Sequence, residues 1–325
     1  MKKFDELYQE LLKLHNNELA EVLEEVKKEK KKLNKIILIL CVIIDVTIFK
    51  YFIFPYSQLI KLNFGLSMTT ILPTILGMGV VDVLAYVLIH GIFGKKQREY
   101  KQQYKKILIE RIINNFYTDL EYFPQKEMHQ YIYDEVKYNE YYNRYNSEDY
   151  FEAKINGEYS VQIAEIVTKK VETRRTPDGS THTTTTEIFN GLFAKIEIDK
   201  SINSELKIMQ NGKMFFDSKR LKMDSSEFEK YFDVKATNQI IGMQILTADV
   251  MEELINFQDQ THIKYDISII NNNLYLRFHC GGIFEPKNIG RGELDNKSLE
   301  EYFGILNFTY NLSNKLIKLI KETEF

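Results

Sequence analysis

Ile36–Phe54 reads IILILCVIIDVTIFKYFIF, and Ile71–Phe93 reads ILPTILGMGVVDVLAYVLIHGIF. The two stretches are 19 and 23 residues long. A helix rising ~1.5 Å per residue needs roughly 20 apolar residues to cross a hydrocarbon core. A helix buried in a soluble domain keeps one polar stripe, and neither stretch has one. The pattern therefore predicts a transmembrane helical hairpin over residues 36–93, with the lipid bilayer as its first partner.

The flanks set the expected orientation. Lys27, Lys28, Lys30, Lys31, Lys32 and Lys35 precede the first stretch, and Lys95, Lys96, Arg98, Lys101, Lys105 and Lys106 follow the second. The connector Pro55–Thr70 carries a single charge, Lys61. Basic residues beside spanning helices stay on the cytoplasmic side, so both termini are expected inside a plasma membrane crossed twice. A cleaved signal peptide does not fit, because the first stretch lies behind a long charged segment with no small-residue cleavage site.

Three charged residues fall inside the two apolar stretches: Asp45, Lys50 and Asp82. An aspartate at the centre of a spanning helix costs roughly 2.5–3.5 kcal/mol on insertion scales, so it is seldom left facing lipid. These three form the candidate intramembrane polar site. One reading is an ion or proton path in an oligomer. The favoured reading is a paired or neutralised group that fixes helix register, because two helices alone enclose no pathway.

Charge divides unevenly along the 325 residues. Residues 1–35 carry nine basic and eight acidic side chains, and 36–93 balance. The remaining 94–325 hold 32 basic and 36 acidic, giving the total of −3. A mildly acidic soluble part is a poor match for nucleic acid, which is excluded as a partner. The two cysteines, Cys41 and Cys280, lie too far apart in character to pair, and free thiols suit a reducing cytoplasm.

Outside the hairpin the chain divides into an N-terminal cytoplasmic helix (1–35), a stalk helix (94–123) and a cytoplasmic domain (124–325). Phe4, Leu7, Leu11 and Leu14, then Leu19, Val22, Leu23 and Val26, recur at helical spacing. Tyr100, Tyr104, Ile107, Leu108, Ile112 and Phe116 do the same, which predicts two antiparallel neighbours ending at Pro124. The tyrosine-rich stretch 125–145 is expected as a helix and irregular chain with packed tyrosines.

From Phe151 the pattern turns to strand. Turns are expected at Asn156-Gly157, at Pro177-Asp178-Gly179 and at Asn211-Gly212, with a three-residue turn at Asn271–Asn273 pairing Ile270 with Leu274. The polar, threonine-rich tip from Arg174 to Thr186 reads as an exposed β-arm. Helices are expected over EFEKYF (capped by Asp224), from about Ala248 to Phe257, and from Ser298 onward. Mixed helices and strands without regular alternation give an α+β class with a mainly antiparallel sheet and flanking helices.

Two passages carry a family resemblance. Phe189-Asn190-Gly191-Leu192-Phe193 resembles an F-x-G-L-F core, and EFEKYFDVKATNQIIGMQILTADVMEEL (Glu227–Leu254) is similar to a second signature of the same group. The group is a bacterial two-helix membrane family defined as a domain of unknown function, family 3137. The resemblance implies the architecture above and carries no reaction, cofactor or catalytic residue with it. Asn238 departs from an acidic residue usual at that position, which removes any carboxylate role there.

No phosphate loop, dinucleotide fingerprint, H-E-x-x-H, C-x-x-C or G-x-S-x-G occurs. His262 and His279-Cys280 are closest to a metal-ligand grouping and read better as strand residues. No catalytic residue, metal or cofactor is assigned. The expected function is a non-enzymatic, membrane-anchored cytoplasmic binding or scaffold module whose partner is another protein or a further copy of the chain. The alternatives are an oligomeric ion-transport accessory using Asp45 and Asp82, and an enzyme whose site carries no known motif.

Overall fold

A computed structural model describes residues 1–48, 50, 87, 98–176, 179–202, 204–212, 220–285 and 294–322. It separates into two compact units. One comprises Met1–Leu11, Lys105–Lys287 and Asp295–Phe325, and the other Leu12–Tyr104 and Asn288–Leu294.

In the smaller unit, a π-helical turn at His15–Leu19 runs into helix α2 (Ala20–Ile48), and residues 98–104 are helical. Leu19, Leu23 and Val26 are buried along the first part of this helix, as are Tyr100 and Tyr104 on 98–104. Beyond Lys35 the exposure changes: Leu38, Ile39, Leu40, Val42, Ile43 and Val46 all face outward. Among the described residues no helix is long and apolar enough to cross a membrane. The connector and, apart from Val87, the second apolar stretch lie outside the described residues.

The larger unit is α+β, built on an antiparallel sheet of nine strands among the described residues. The strands are β1 (Thr118–Phe123), β2 (Arg144–Ile155), β3 (Tyr159–Arg175), β4 (Thr181–Glu197) and β5 (Glu205–Gln210). They continue as β6 (Arg220–Leu221), β7 (Phe232–Ala236), β8 (Tyr265–Ile270) and β9 (Asn273–Phe278), in the spatial order β1-β2-β3-β4-β9-β8-β5-β7-β6. Both faces are covered, so β5, β8 and β9 read as unbroken buried runs and not as alternating ones.

One face carries α8 (Asn296–Glu322) and α7 (Ala248–Thr261), whose Phe308 and Phe257 stack at 3.8 Å and rest on Tyr265 and Phe278. Helix α1 (Phe4–Leu14) as far as Leu11 and the short α3 (Glu110–Ile113) belong to the same unit. They run antiparallel, with Glu10 bonded to Arg111 and the Lys2 amide donating to Asn115 Oδ1 at 2.8 Å. Phe4 and Phe116 both meet Phe303 of α8. The opposite face is closed by residues 126–145 with helix α4 (Gln130–Asp134). There Met128, Ile132, Tyr133, Val136 and Tyr138 pack on Ala164, Ile166, Phe189 and Phe193.

Several expectations need correction. The stalk helix stops at Ile113, and 118–123, expected as its last turns, is edge strand β1. Thr118, Tyr122 and Phe123 are strand formers, and Asp119 at φ 51° breaks the helical path. Strand β2 begins at Arg144, before Phe151. The β8–β9 turn holds two residues, pairing Ile270 with Asn273, so His279 lies beside Lys264 and not opposite Tyr265. Asp224 does not cap the helix after it; Ser225 Oγ accepts from the Phe228 amide of α5 (Phe228–Tyr231). Asp295, not Ser298, caps α8. The residues expected as a strand after Asn211-Gly212 lie outside the described residues.

Candidate functional site

Glu165 sits in the middle of β3 in the run Gln162–Val167, flanked by Ala164 and Ile166. Strand alternation turns it to the α8 face, with Ile163. After β9 the chain His279–Glu285 folds back over this point. The amides of Ile283 and Phe284 donate to Glu165 Oε1 at 2.6 and 2.8 Å, pinning the segment to the strand. Gly191 makes the crossing feasible: a Cβ there would lie 1.9 Å from the Phe278 carbonyl oxygen. The Gly281 amide then donates to Asn190 O, so the glycine of the F-x-G-L-F core is required by backbone approach.

Asp149 reaches the same spot from a bulge in β2, where the register shifts between Glu148 and Phe151. Its φ of 54° and an amide bond to Pro124 O hold it out of the ladder. Lys105 arrives from a π-helical turn (Lys105–Ile109) and places its ammonium 2.6 Å from Asp149 Oδ2 and 2.6 Å from Glu285 Oε1. Tyr122 of β1 donates to Asp149 Oδ1 at 2.6 Å. One buried ammonium thus meets a set of carboxylates, of which Asp149 is fully buried and Glu165 nearly so.

Burial governs the electrostatics. It pushes the Glu165 carboxyl up to about 8, helped by the neighbouring Asp149 charge and opposed by the two amides. Burial likewise lifts Asp149 to about 6 against the pull of Lys105. Burial works against the Lys105 ammonium, yet Asp149 and Glu285 carry it above the ordinary lysine value. Carboxylate oxygens of Glu148, Asp149 and Glu165 lie within 4.8 Å of one another. The cation that Asp149 meets is Lys105, burial favours the protonated form of Glu165, and the contacts tie together the Lys105 turn, β1, β2, β3 and the segment 279–285. Burial pushes the neighbouring Cys280 thiol up to about 12, out of the range of a reactive thiolate.

On the other face Arg277 is fully buried with every guanidinium N–H engaged: Nε and Nη2 to Asp266, Nη1 and Nη2 to Glu140, and Nη1 to Tyr133 Oη. The Tyr138 ring lies 3.6 Å over it.

A third feature is the β-arm. β3 and β4 stay paired from Lys169↔Glu187 out to Arg175↔Thr181, while β2 ends at Lys169 and β9 at Leu192. Thr181 to Glu187 are all exposed, as are Thr173, Arg174 and Arg175.

Of the residues singled out in the sequence, Asp45 lies in α2, Lys50 is helical and exposed just beyond it, and Asp82 lies outside the described residues. His262 caps α7 at φ 57°, and His279 sits edge-on to Phe189 with Nε2 3.6 Å from Asp266, so the two histidines do not converge. Asn238 caps helix α6 (Gln239–Ile245) by accepting from the amides of Ile240 and Ile241. A carboxylate would accept the same bonds, so the position serves as a cap with either side chain.

Sequence reasoning missed Lys105, Asp149, Glu165, Asp266 and Arg277. Three of them carried a signal: Glu165, Asp266 and Arg277 each interrupt an otherwise apolar strand.

Fold and site together define an α+β domain with buried charge and a projecting arm. Residues 187–318 match the family described as proteins of unknown function, DUF3137, which covers less than half of the chain and includes both passages quoted above. Among solved structures, the crystal structure of the mycobacterial trehalose monomycolate transport factor A, TtfA, is similar over 66% of this chain and 94% of its own. The identity is 8% and the TM-score 0.33. No curated protein matches the chain.

Proposed function

We propose that the protein is a membrane-anchored binding module: the apolar stretches 36–54 and 71–93 span the plasma membrane, both ends lie inside, and the α+β unit engages a protein partner through its β-arm. The observation that carries the anchor is that Ile36, Leu38, Ile39, Leu40, Val42, Ile43 and Val46 face outward. Leu38 is 67% exposed and Val46 60%. An apolar surface of this length in water marks a contact with lipid or protein, and the lysines before it favour lipid with the basic end inside.

The arm supports the second half of the reading. It is a polar ribbon projecting past the rest of the sheet, with no packing role in either core. The buried clusters are better suited to holding the unit's segments together than to chemistry on a substrate.

The test is extraction of membranes at alkaline pH, beside a chain lacking 36–93. The full chain is expected in the pellet until detergent is added, and the shortened chain in the supernatant. Recovery of the full chain in the supernatant overturns the anchor. For the arm, a photo-crosslinker at position 184 of the full chain is expected to trap a protein in membranes, and replacing 170–186 by a two-residue Asn-Gly turn is expected to leave the unfolding temperature unchanged; no protein trapped from 184 overturns the arm's role.

A further inference from the structure

The arm has an unused strand edge, and its sequence matches itself. The Thr176 amide donates to Ser180 O at 2.9 Å. With the register Arg175↔Thr181 to Lys169↔Glu187, antiparallel alternation directs the backbone of the even positions toward β3. The N–H and C=O groups of Thr181, Thr183, Thr185 and Glu187 then face the open edge. The neighbouring strand β9 pairs with β4 only from Leu192 inward, so the slot beside Thr181–Glu187 continues the β9 position with no strand in it among the described residues.

We propose that this edge of β4 pairs antiparallel, across a twofold axis at Thr184, with the same edge of a second copy of the chain. The proposal rests on the reading of the arm as the contact surface and names its occupant. In this register Thr183 faces Thr185 of the second copy and Thr184 faces itself, giving threonine–threonine pairs that are favourable across strands. His182 faces Thr186, and Glu187 faces Thr181, so no like charges meet.

The next strand adds complementarity. Arg175 is the β3 partner of Thr181, and Lys169 is the β3 partner of Glu187. Across the pair the row therefore reads Arg175, Thr181, Glu187 of the second copy, Lys169 of the second copy. Each glutamate lies between cations from both copies. The interface is isologous and closes on itself. Main-chain bonds at roughly 0.5–1.5 kcal/mol each make a weak pair in dilute solution. Confinement of both copies to one membrane raises their effective concentration.

Single-cysteine variants of the full chain at 181, 184 and 187, oxidised in isolated membranes, test this against the natural protein. Thr184 is expected to sit in a non-hydrogen-bonded pair with Cα atoms ~4.5 Å apart, within disulfide reach. Like positions at 181 or 187 are offset by roughly 20 Å. Thr184→Cys is expected to give a disulfide dimer at least fivefold more abundant than Thr181→Cys or Glu187→Cys alone, and co-expressing those two is expected to restore the dimer. A flat profile, or a dimer no stronger at 184, overturns the proposal. A photo-crosslinker at 184 separates the two levels. Capture of a different protein and not of the chain itself overturns self-pairing and keeps the binding reading; capture of no protein overturns both.

Discussion

Both faces of the sheet bury charge, but they balance it differently. Behind Arg277 one guanidinium meets Asp266 and Glu140, with Tyr133 and Tyr138 completing the shell. Behind Lys105 one ammonium serves Asp149 and Glu285 while Glu165 leans on backbone amides alone. In the first cluster every guanidinium N–H has an acceptor. The second sets three carboxyl groups, Asp149, Glu165 and Glu285, beside one ammonium, against two around the guanidinium, and burial lifts Glu165 to about 8. A buried ion pair is costly to break and contributes modestly when intact, which makes the partner count decisive.

The largest effect is expected for Arg277→Met. It strands Asp266 in the core, and stability is expected to fall by ~3–5 kcal/mol, read as a lowered unfolding midpoint of the detergent-solubilised chain. Near-normal stability would show that this cluster is not the rigid one. Lys105→Met is expected to cost ~2–4 kcal/mol at pH 8 and clearly less at pH 5. Protonated Asp149 and Glu165 no longer need a cation. A loss independent of pH would erase the contrast between the faces.

Glu165→Gln sharpens the same comparison with the opposite sign. The folded-state value of about 8 stands above the ordinary 4.5. The folded chain therefore holds the extra proton between those limits, and stability falls as pH rises through that window, at up to ~1.4 kcal/mol per unit. Asp149 adds a fall confined between about 4 and about 6. The glutamine variant keeps an acceptor for Ile283 and Phe284, so it is expected to match the natural protein near pH 4 and to pull ahead of it as pH rises from there. At pH 8.5 it should exceed it by ~3–5 kcal/mol. The smallest effect lies outside both clusters: Asn238→Ala is expected to cost ~1 kcal/mol through the lost helix cap, and Asn238→Asp almost nothing.

Local chemistry made much of the domain legible. Asn156 and Gly157 take positive φ of 55° and 72° in the three-residue β2–β3 connection, where the Glu158 amide donates to Ile155 O. The antiparallel α+β class follows from such turns and from unbroken apolar runs. The β8–β9 register slipped by one because three consecutive asparagines offer two turn lengths with no side-chain preference. Strand β1 was hidden in a helical spacing that Tyr117–Phe123 also satisfies. Lys105 was hidden more deeply: it sits in a lysine-rich run, and only tertiary packing separates it from Lys101 and Lys106. The intramembrane candidates Asp45, Lys50 and Asp82 were chosen by their position in apolar chain, a signal that carries no information about partners.

In the proposed arrangement the chain crosses a membrane twice with its α+β unit inside. A membrane-impermeant maleimide applied to intact cells tests this with cysteines at Ser57 in the connector and Ser180 on the arm. Ser57→Cys is expected to label in intact cells and Ser180→Cys only after permeabilisation. Labelling of Ser180→Cys from outside, or protection of Ser57→Cys until lysis, would contradict it.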